Sequence, residues 1–225
     1  MIEVKNVFKK YREIDALKDV SFKVNKNILL TILGPSGSGK TTLLRLIAGL
    51  ERPDKGKILL DGKIVSTPSK IVLPYKRKIS MIFQNLSLWP YMTVEQHLNF
   101  VLKDSKKIEN ILDKVKLTGF KKRYPHQLSG GEKQRLAIAR ALITEPSYLL
   151  MDEPFSHLDF SLKKAMISLL LNLRKDLKRT IIYVTHNLDE VMALADKIIV
   201  MDKGKIIFQS NKEEFLKVHA KFILI

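Results

Sequence analysis

A glycine-rich segment before residue 41 has the residue types and spacing of a phosphate-binding loop. It reads Gly34-Pro35-Ser36-Gly37-Ser38-Gly39-Lys40-Thr41 and fits the pattern G-x-x-x-x-G-K-[ST], between a predicted strand and a predicted helix. Glycines let backbone N–H groups turn toward phosphate oxygens, and a helix N-terminus favours an anion. Lys40 is expected to reach the β- and γ-phosphates, and the Thr41 hydroxyl to bind Mg²⁺. The predicted nucleotide-binding residues are Gly34, Pro35, Ser36, Gly37, Ser38, Gly39, Lys40, Thr41 and Thr42.

Two acidic residues follow an apolar run later in the chain. Tyr148 to Met151 reads as a buried strand, and Asp152 and Glu153 come directly after it. An aspartate at the C-terminal end of such a strand supports Mg²⁺ in NTPases, so Asp152 is a candidate metal ligand. Glu153 is placed to polarise an attacking water, as a general base does in phosphoryl transfer to water. An ordinary acidic turn is the alternative, which the upstream phosphate-binding loop disfavours.

The first two motifs indicate only an NTPase. A third motif, Leu128-Ser129-Gly130-Gly131-Glu132, indicates which family of NTPases the chain resembles. Together with the helical segment that follows, it resembles the signature motif of ATP-binding cassette (ABC) ATPases. The order of motifs along the chain is also similar to that family: the phosphate-binding loop, Gln84, the signature, Asp152-Glu153, Ser156-His157-Leu158-Asp159 and His186. The resemblance covers essentially the whole chain. His157 and Glu132 depart from the usual pattern, which more often has a small residue and Gln at these positions.

The resemblance implies a nucleotide site shared between two subunits. A Ser-Gly-Gly turn that opens a helix is an anion-binding end, and in this family two subunits pack head to tail. Ser129, Gly130 and Gly131 of one subunit would then contact the γ-phosphate of the ATP that Lys40 of the other subunit holds. Asp159 would lie at the dimer interface. ATP binding would join the two subunits, and hydrolysis would release them.

Three further residues take roles from the resemblance. Gln84, after the predicted strand 79–83, would sense Mg²⁺ and link the helical insertion to the catalytic core. His186, after the predicted strand 181–185, would contact the γ-phosphate and hold the geometry that activates the water, with a structural histidine as the alternative. Tyr11 would stack on adenine, with packing in the core as the alternative.

The elements that must position these residues form an α/β pattern. Short apolar runs predict strands at 2–7, 20–24, 28–33, 79–83, 148–151, 181–184, 198–201 and 205–209. We expect a P-loop NTPase core with a mixed, largely parallel central sheet, an N-terminal antiparallel β region and a helical insertion, the ABC ATPase fold. Residues 1–84 and 144–225 are assigned to a RecA-like ATP-binding core with an N-terminal β subdomain. Residues 85–143 are assigned to a helical subdomain that carries the signature. Its helical period is predicted from about Thr93, where Thr93-x-x-Gln96 resembles a capping box.

Composition narrows the classes of function. The 225 residues are 45% apolar and include no cysteine, which excludes a disulfide framework and a thiolate nucleophile. No apolar run is long enough to cross a bilayer, and no secretory signal is expected at the N-terminus. The formal charge of +17 would suit nucleic acid, anionic lipid or a polyphosphate. Because the lysines are scattered in short clusters, a solvated surface is the preferred interpretation, and no nucleic-acid partner is expected.

A loop with the only tryptophan of the chain follows Gln84. Residues 85–93 read Asn-Leu-Ser-Leu-Trp-Pro-Tyr-Met-Thr, and such apolar side chains need a partner. The resemblance implies a groove here for a short cytoplasmic helix of a membrane subunit, which leads us to expect that Leu88, Trp89 and Tyr91 line it. Burial inside the domain is the alternative.

The resemblance implies an ATPase at the cytoplasmic face of the membrane that powers import of a small solute through a separate permease. A second, identical ATPase subunit and, indirectly, a solute-binding protein are the other expected partners. The segments around Gln84 and Glu153 look most like importers of maltose, polyamines, ferric iron, sulfate, molybdate and thiamine. A C-terminal regulatory domain, which several of those carry, is not expected here. An ABC ATPase of an export, lipid-handling or cell-division complex, and a soluble one that acts on DNA or ribosomes, stay as alternatives.

Overall fold

The computed structural model describes the backbone of residues 1–223 and, within it, the side chains of residues 1–175 and 178–218. This part of the chain forms two β-sheets and seven α-helices. The strands are β1 (Ile2–Tyr11), β2 (Ile14–Val24), β3 (Leu29–Leu33), β4 (Lys55–Leu60), β5 (Lys63–Ser66), β6 (Ile79–Ile82), β7 (Tyr148–Asp152), β8 (Thr180–Thr185), β9 (Lys197–Asp202) and β10 (Lys205–Asn211). The helices are α1 (Lys40–Ala48), α2 (Val94–Val101), α3 (Ser105–Lys114), α4 (Gly130–Leu142), α5 (Phe160–Leu177), α6 (Leu188–Leu194) and α7 (Lys212–Ile223).

The central sheet has six strands in the order β10-β9-β3-β8-β7-β6. Five strands are parallel, and only β10 at the edge runs antiparallel to its neighbour. Every residue of β7 and β8 is buried, as the uninterrupted apolar runs of these central strands predict. Since parallel strands end at the same edge of a sheet, the segments that follow β3, β6, β7 and β8 meet there.

The second sheet is antiparallel, with the strand order β2-β1-β4-β5. Its buried face shares one apolar core with α1 and one face of the central sheet, including Ile2, Leu43 and Ile182. The mixed, largely parallel central sheet and the N-terminal antiparallel region confirm the predicted fold class. The phosphate-binding loop lies where the two sheets approach each other. Gly204, in the turn between β9 and β10 of the central sheet, donates its N–H to Ser38 O of the loop at 3.2 Å. The same glycine accepts the N–H of Lys18, in β2 of the antiparallel sheet, at 2.8 Å.

The helices between the central strands pack on the other face of the sheet. Residues of α2, α3, α4 and α5 share a second core with β7 and β8. The predicted capping box opens α2: Thr93 Oγ1 accepts from the Gln96 N–H at 3.3 Å, and the Thr93 N–H donates to Gln96 Oε1 at 2.8 Å. The helical character predicted from about Thr93 is confirmed, although an extended Leu102 and a long turn before Ser129 divide the segment into three helices.

Some element bounds differ from the sequence predictions. The strands β1 and β2 are longer than predicted because their outer ends pair with each other at a turn whose last pair is Tyr11 and Ile14. Helix α7 was not predicted; Phe215 anchors it in a small core with Val191 and Ile198. Among the described residues, no helix has both the length and the apolar character needed to cross a membrane.

Candidate functional site

The phosphate-binding loop joins the end of β3 to the start of α1. Gly37 and Gly39 have φ angles of 78° and 98°, in the left-handed region that favours glycine. A Cβ atom on Gly39 would lie 2.4 Å from the carbonyl oxygen of Ala16. The loop is therefore pressed against β2, and only glycine fits at this position. The first N–H groups of α1 have no partners within the helix and are available to an anion.

A cavity of about 300 Å³ lies at the N-terminus of α1. Its lining comes from the loop, α1, β2 and the segments after β6 and β7: Ile14, Ala16, Ser36, Gly37, Ser38, Gly39, Lys40, Thr41, Thr42, Gln84 and Glu153. In the part of the chain that the structure describes, the buried Ser38 Oγ has no hydrogen-bond partner. Because a buried hydroxyl without a partner costs free energy, Ser38 fits a phosphate oxygen as the partner it lacks.

Lys40 begins α1, and 4% of its side chain is exposed. Its Nζ donates to the carbonyl oxygens of Gly34 and Pro35, each at 2.8 Å, and lies 3.8 Å from Glu153 Oε1. Burial lowers the pKa of Lys40, while the carboxylates of Glu153 and Asp152 oppose that shift. The ammonium is held beside the loop in a poorly solvated place, where its attraction for a phosphate is stronger than in water.

Thr41 and Asp152 form a pair of oxygen donors on the same side of the loop. Thr41 Oγ1 donates to Asp152 Oδ1 at 3.0 Å, and burial raises the pKa of the Asp152 carboxyl. A hydroxyl beside a buried carboxylate suits Mg²⁺, which takes one or two protein oxygens together with phosphate oxygens and water. Among the described residues, no three His, Cys, Asp or Glu side chains form a metal cage. The Thr41 hydroxyl and the Asp152 carboxylate are donors of the type that fits Mg²⁺ bound together with phosphate oxygens.

Glu153 adopts a backbone conformation that is unusual for a residue other than glycine. Its φ angle is 43°, and its N–H donates to Val184 O at 3.0 Å. Such strained conformations concentrate at functional sites because they aim a side chain. The Glu153 carboxylate lies between two donors: Oε1 is 3.8 Å from Lys40 Nζ, and Oε2 is 2.9 Å from His186 Nδ1. The structure thus brings together three residues that are far apart in the sequence.

Gln84 and His186 follow the two strands, β6 and β8, that lie on either side of β7 in the central sheet. Gln84 follows β6 and lines the 300 Å³ cavity. His186 follows β8, and the His186 side chain is 53% exposed although its Nδ1 contacts Glu153. An ionised carboxylate only accepts hydrogen bonds, so the imidazole tautomer that suits this contact is the one with its proton on Nδ1. The second ring nitrogen, Nε2, stays available for another ligand.

Tyr11 lies at the rim of this region and outside the apolar cores. The Tyr11 side chain is 40% exposed, which contradicts the alternative of core packing. Its hydroxyl donates to Glu51, which also pairs with Arg45. Partial burial and the bond to Glu51 raise the pKa of Tyr11 to about 12. Lys9 Nζ lies 5.4 Å from the centroid of the Tyr11 ring.

The signature motif lies at the N-terminus of α4 and does not line the 300 Å³ cavity. Ser129 is the N-cap: its Oγ accepts from the Glu132 N–H at 3.3 Å, and its N–H donates to Glu132 Oε2 at 2.8 Å. Glu132, a departure from the family pattern, therefore completes a capping box. Ser129 and Gly130 are exposed, as is Asp159, the N-cap of α5. The structure leaves these three predicted residues at the surface, whereas Gly131, predicted to contact the same phosphate, is buried.

The loop after Gln84 is held by Arg140 of α4. The Arg140 guanidinium donates to the carbonyl oxygens of Leu86 and Ser87, each at 2.6 Å, and lies 5.1 Å from the centroid of the Trp89 ring. The backbone N–H of Trp89 donates to Nε2 of the buried His97 at 2.9 Å. The loop is fixed in one arrangement even though it has no regular secondary structure.

A second cavity, of about 690 Å³, lies between this loop and the signature helix. Its lining residues come from both sides of that gap: Gln84, Asn85, Leu86, Leu88, Pro125, Lys133 and His157. Trp89 is half-buried and Tyr91 is 69% exposed. Leu88 thus faces a cavity, Trp89 packs beside it, and Tyr91 is open to solvent, so the alternative of burial inside the domain does not hold for Tyr91.

Ile14 and Ala16 also line the 300 Å³ cavity, although neither was predicted from the sequence. Both belong to β2, and Ile14 is 72% exposed. An isoleucine on the solvent face of a strand was the available signal, because it leaves apolar surface beside the loop without a partner. The register that pairs Ile14 with Tyr11 could not be read from the sequence alone.

Comparison with protein families finds a family that matches more than half of the chain. The family described as "ABC transporter" matches residues 17–156. That range includes the phosphate-binding loop, Gln84, the signature and Glu153, and it ends before His186.

Several curated proteins are similar to nearly the whole chain. The spermidine/putrescine import ATP-binding protein PotA of Chromobacterium violaceum is 45% identical over 92% of this chain and 58% of its own length. PotA of Clostridium novyi is 41% identical over 99% of this chain and 67% of its own length. The sulfate/thiosulfate import ATP-binding protein CysA of Thermosynechococcus vestitus is 44% identical over 91% and 62%. The chain therefore spans about three-fifths of the length of these relatives.

Solved structures with a similar fold include ATP-binding cassettes. The dimeric, post-hydrolysis cassette MJ0796 bound to ADP and Pi is 30% identical, with a TM-score of 0.83 over 94% of this chain and 99% of that one. CbiO1 of Clostridium perfringens, part of the complex cbiONQ, is 31% identical, with a TM-score of 0.87 over 99% and 94%.

Proposed function

This chain belongs to the ABC transporter family, and from that premise we propose that it is the ATP-binding and ATP-hydrolysing subunit of an importer. The observation that carries the proposal is the position of Glu153 between two cationic or donor groups at one cavity, with Lys40 Nζ at 3.8 Å and His186 Nδ1 at 2.9 Å. A cation for phosphate, a carboxylate for water and an imidazole that orients the carboxylate are the parts that phosphoryl transfer to water requires.

Glu153 is the residue that we assign to the attacking water. Its carboxylate would accept a hydrogen bond from the water and take up the proton as the water attacks. His186 would hold that carboxylate through Nδ1–H and approach the γ-phosphate with its other ring nitrogen. Lys40 would exchange its bonds to the loop carbonyls for bonds to the β- and γ-phosphates, which are stronger acceptors because they are charged.

We assign Mg²⁺ to Thr41 and Asp152, with Gln84 as the residue that senses it. When bound, the ion neutralises the negative charge that develops on the phosphate oxygens. Asp152 supplies a carboxylate that burial already disfavours in its ionised form, so a nearby cation would relieve a cost present in the nucleotide-free protein. Tyr11, half-exposed at the rim, is assigned to adenine.

A second, identical subunit completes the site in this proposal. Ser129, Gly130 and Gly131 would bind the γ-phosphate held by the other subunit, and Asp159 would lie at the contact between the two. The exposure of Ser129, Gly130 and Asp159 supports this assignment, because surface-exposed N-caps of two helices are open to a partner. Residues 85–143 are proposed to form the helical subdomain that carries the signature, beside an ATP-binding core of residues 1–84 and 144–225.

Import is favoured over export, lipid handling and cell division by the names of the relatives, which are import ATP-binding proteins for spermidine/putrescine and sulfate/thiosulfate. We therefore infer that the chain works at the cytoplasmic face of the membrane with permease subunits and, indirectly, a solute-binding protein. Nucleic acid is not among the proposed partners.

We propose that the loop with Leu88, Trp89 and Tyr91 docks a short helix of the permease. The loop borders the 690 Å³ cavity, and Tyr91 offers an aromatic ring to solvent beside it. Trp89→Ala and Tyr91→Ala should release the protein from membranes of its host while ATP binding persists. Tyr75→Ala, at an exposed tyrosine outside this loop, is the matched control. Unchanged membrane association of both loop variants would contradict the docking role.

Co-purification tests the import function directly. The tagged protein is purified from detergent-solubilised membranes of its host, and its partners are identified by mass spectrometry. A polytopic permease with a solute-binding protein is the expected result. Recovery of a lipid-handling or cell-division membrane protein, or of ribosomes alone, would overturn the import assignment and leave the ATPase assignment to be tested by hydrolysis.

A further inference from the structure

A buried carboxylate lies close behind His186 and has no role in the site described so far. Glu190, in the first turn of α6, is 2% exposed. Its Oε2 accepts hydrogen bonds from Tyr183 Oη at 2.8 Å and Thr185 Oγ1 at 2.7 Å. Its Oε1 lies 3.1 Å from Lys163 Nζ. The partners that a buried carboxylate needs are therefore supplied by two side chains of β8 and one of α5.

The carboxylate fixes the residue that precedes His186. Thr185 Oγ1 donates to Glu190 and also accepts the N–H of Asn187 at 3.0 Å. Asn187 in turn caps α6, because its Oδ1 accepts from the N–H of Asp189 at 2.8 Å and of Glu190 at 3.2 Å. His186 thus lies between two residues that are tied to one network, while most of its own ring is exposed.

The same carboxylate connects this network to α5. Lys163 lies one turn into that helix, and its N–H donates to the carbonyl oxygen of Asp159 at 2.9 Å. Asp159 is the residue assigned to the subunit contact. A continuous chain of polar contacts therefore runs from the start of α5 through Lys163 and Glu190 to the backbone on both sides of His186.

A buried ion pair is weak evidence for a purely stabilising role, because apolar residues of the same volume often stabilise as much or more. We propose that Glu190 is a positioning residue for His186, acting through Thr185 and held in turn by Lys163. This inference rests on the proposed hydrolytic function, in which His186 orients Glu153. Loss of the network should let His186 leave Glu153 without removing any group that touches the nucleotide.

Thr185→Val and Tyr183→Phe each remove one hydrogen-bond donor to Glu190 Oε2. Comparing them separates an effect on the position of His186 from an effect on the stability of the fold. Thr185→Val keeps the shape of the side chain and removes the link to the His186 backbone. Tyr183→Phe, the matched control, removes the other hydrogen bond to Glu190 Oε2 and lies on the core side of the network. Thr185→Ser, which retains the hydroxyl, is the conservative variant that should restore the behaviour of the unmodified protein.

The first measurement uses nucleotide-free protein. Imidazole ¹⁵N–¹H spectra report the five histidines of the chain, and His186→Gln identifies the His186 signals. The proposal predicts that Thr185→Val and Lys163→Met, which reaches His186 only through Glu190, both shift the His186 signals, whereas Tyr183→Phe and Thr185→Ser leave them in place. Equal shifts in Thr185→Val and Tyr183→Phe, or no shift in either, would overturn the proposal.

The second measurement is ATP hydrolysis with melting temperatures for every variant. Thr185→Val should lower kcat by at least about tenfold with little change in KM, and Lys163→Met should do the same, while Tyr183→Phe stays within about twofold at a comparable loss of melting temperature. A kcat that follows melting temperature alone across the variants would contradict positioning. If the unmodified protein hydrolysed no ATP, the proposed function would fail, and the spectra would still decide whether Glu190 positions His186.

Discussion

Two helices of this chain begin with sequences suited to anions, and their surroundings differ. The N-terminus of α1 lies in a cavity with Lys40 and Glu153, and His186 contacts the same glutamate at 2.9 Å. The N-terminus of α4 is exposed at Ser129, and Ser129 and Glu132 cap each other. A helix N-terminus attracts an anion in both cases, but only the first has groups for chemistry around it. This difference is consistent with the proposal, which rests on the resemblance to the family, that α4 serves the nucleotide site of a second subunit.

The largest effect is expected from Glu153→Gln. The amide cannot accept the proton of the attacking water, so kcat should fall by about 10²–10⁴-fold while ATP still binds. Because release needs hydrolysis, an ATP-bound dimer should accumulate in size-exclusion chromatography. Glu132→Gln makes the same chemical change at the start of α4 and should keep kcat near the unmodified value. Hydrolysis by Glu153→Gln at the unmodified rate would show that another group activates the water.

Lys40→Ala should weaken nucleotide binding itself. The variant loses charge-assisted hydrogen bonds to phosphate in a poorly solvated place, so the Kd for ATP should rise by about 10- to 100-fold. Lys133→Ala removes a lysine in the first turn of α4 and should leave the affinity of the isolated subunit unchanged. Equilibrium binding of a fluorescent ATP analogue measures both. Equal effects of the two substitutions would remove the distinction between the two helices.

Replacing a glycine by alanine should destabilise the fold at the start of α1 and have little effect at the start of α4. At Gly39, φ is 98° and a Cβ would lie 2.4 Å from Ala16 O, so Gly39→Ala should destabilise the fold by about 2 kcal/mol. At Gly130, a Cβ would meet only Leu158 Cδ2, at 3.6 Å, so Gly130→Ala should stay within about 0.5 kcal/mol. Urea unfolding gives both values. A tolerated Gly39→Ala would mean that the loop is not pressed against β2.

The smallest effect is expected at Asp152, and it concerns how the stability of the folded protein depends on pH. Burial raises its pKa above the ordinary value of 3.8, so the folded state binds this proton more tightly than the unfolded state does. The contribution of Asp152 to stability is therefore highest below pH 3.8, falls as the pH rises through the folded pKa, and stays unfavourable at neutral pH.

Asp152→Asn removes that charge and retains an acceptor for Thr41 Oγ1. In the absence of nucleotide and Mg²⁺, it should raise the melting temperature at pH 7, because the folded protein no longer holds a buried charge at this position. The gain in stability should disappear below pH 3.8. A melting temperature lowered at pH 7 would contradict the cost that burial imposes on this carboxylate.

Much of this organisation follows from local sequence patterns. The loop before α1, the acids after β7 and the capping box at Thr93 are each contained in fewer than about ten consecutive residues. Their meeting at one edge of the sheet follows from the parallel strand arrangement. The contact of His186 with Glu153 joins residues 33 positions apart, and the sequence indicated it only through the resemblance to a known family.

Other features depend on long-range packing and could not be read from the sequence. Glu190 looks like a surface residue in the first turn of a helix, yet Lys163, Tyr183 and Thr185 enclose it. The pairing of Tyr11 with Ile14 depends on a register that short-range pattern does not fix. Glu132 was noted only as a departure from the family pattern, and its role became visible once its side chain was seen to cap α4.

Cross-linking tests the shared site most directly, because the chain has no cysteine of its own. Tagged subunits carrying Ser36→Cys in the loop before α1 are mixed with untagged subunits carrying Ser129→Cys, both in the Glu153→Gln background, and treated with a short bifunctional thiol reagent. Ser69→Cys, at an exposed serine away from both helices, replaces Ser129→Cys in the control. The account predicts cross-links between tagged and untagged subunits with ATP and Mg²⁺, few with ADP, and none above background for the control. No ATP-dependent cross-link between subunits that bind ATP would contradict it.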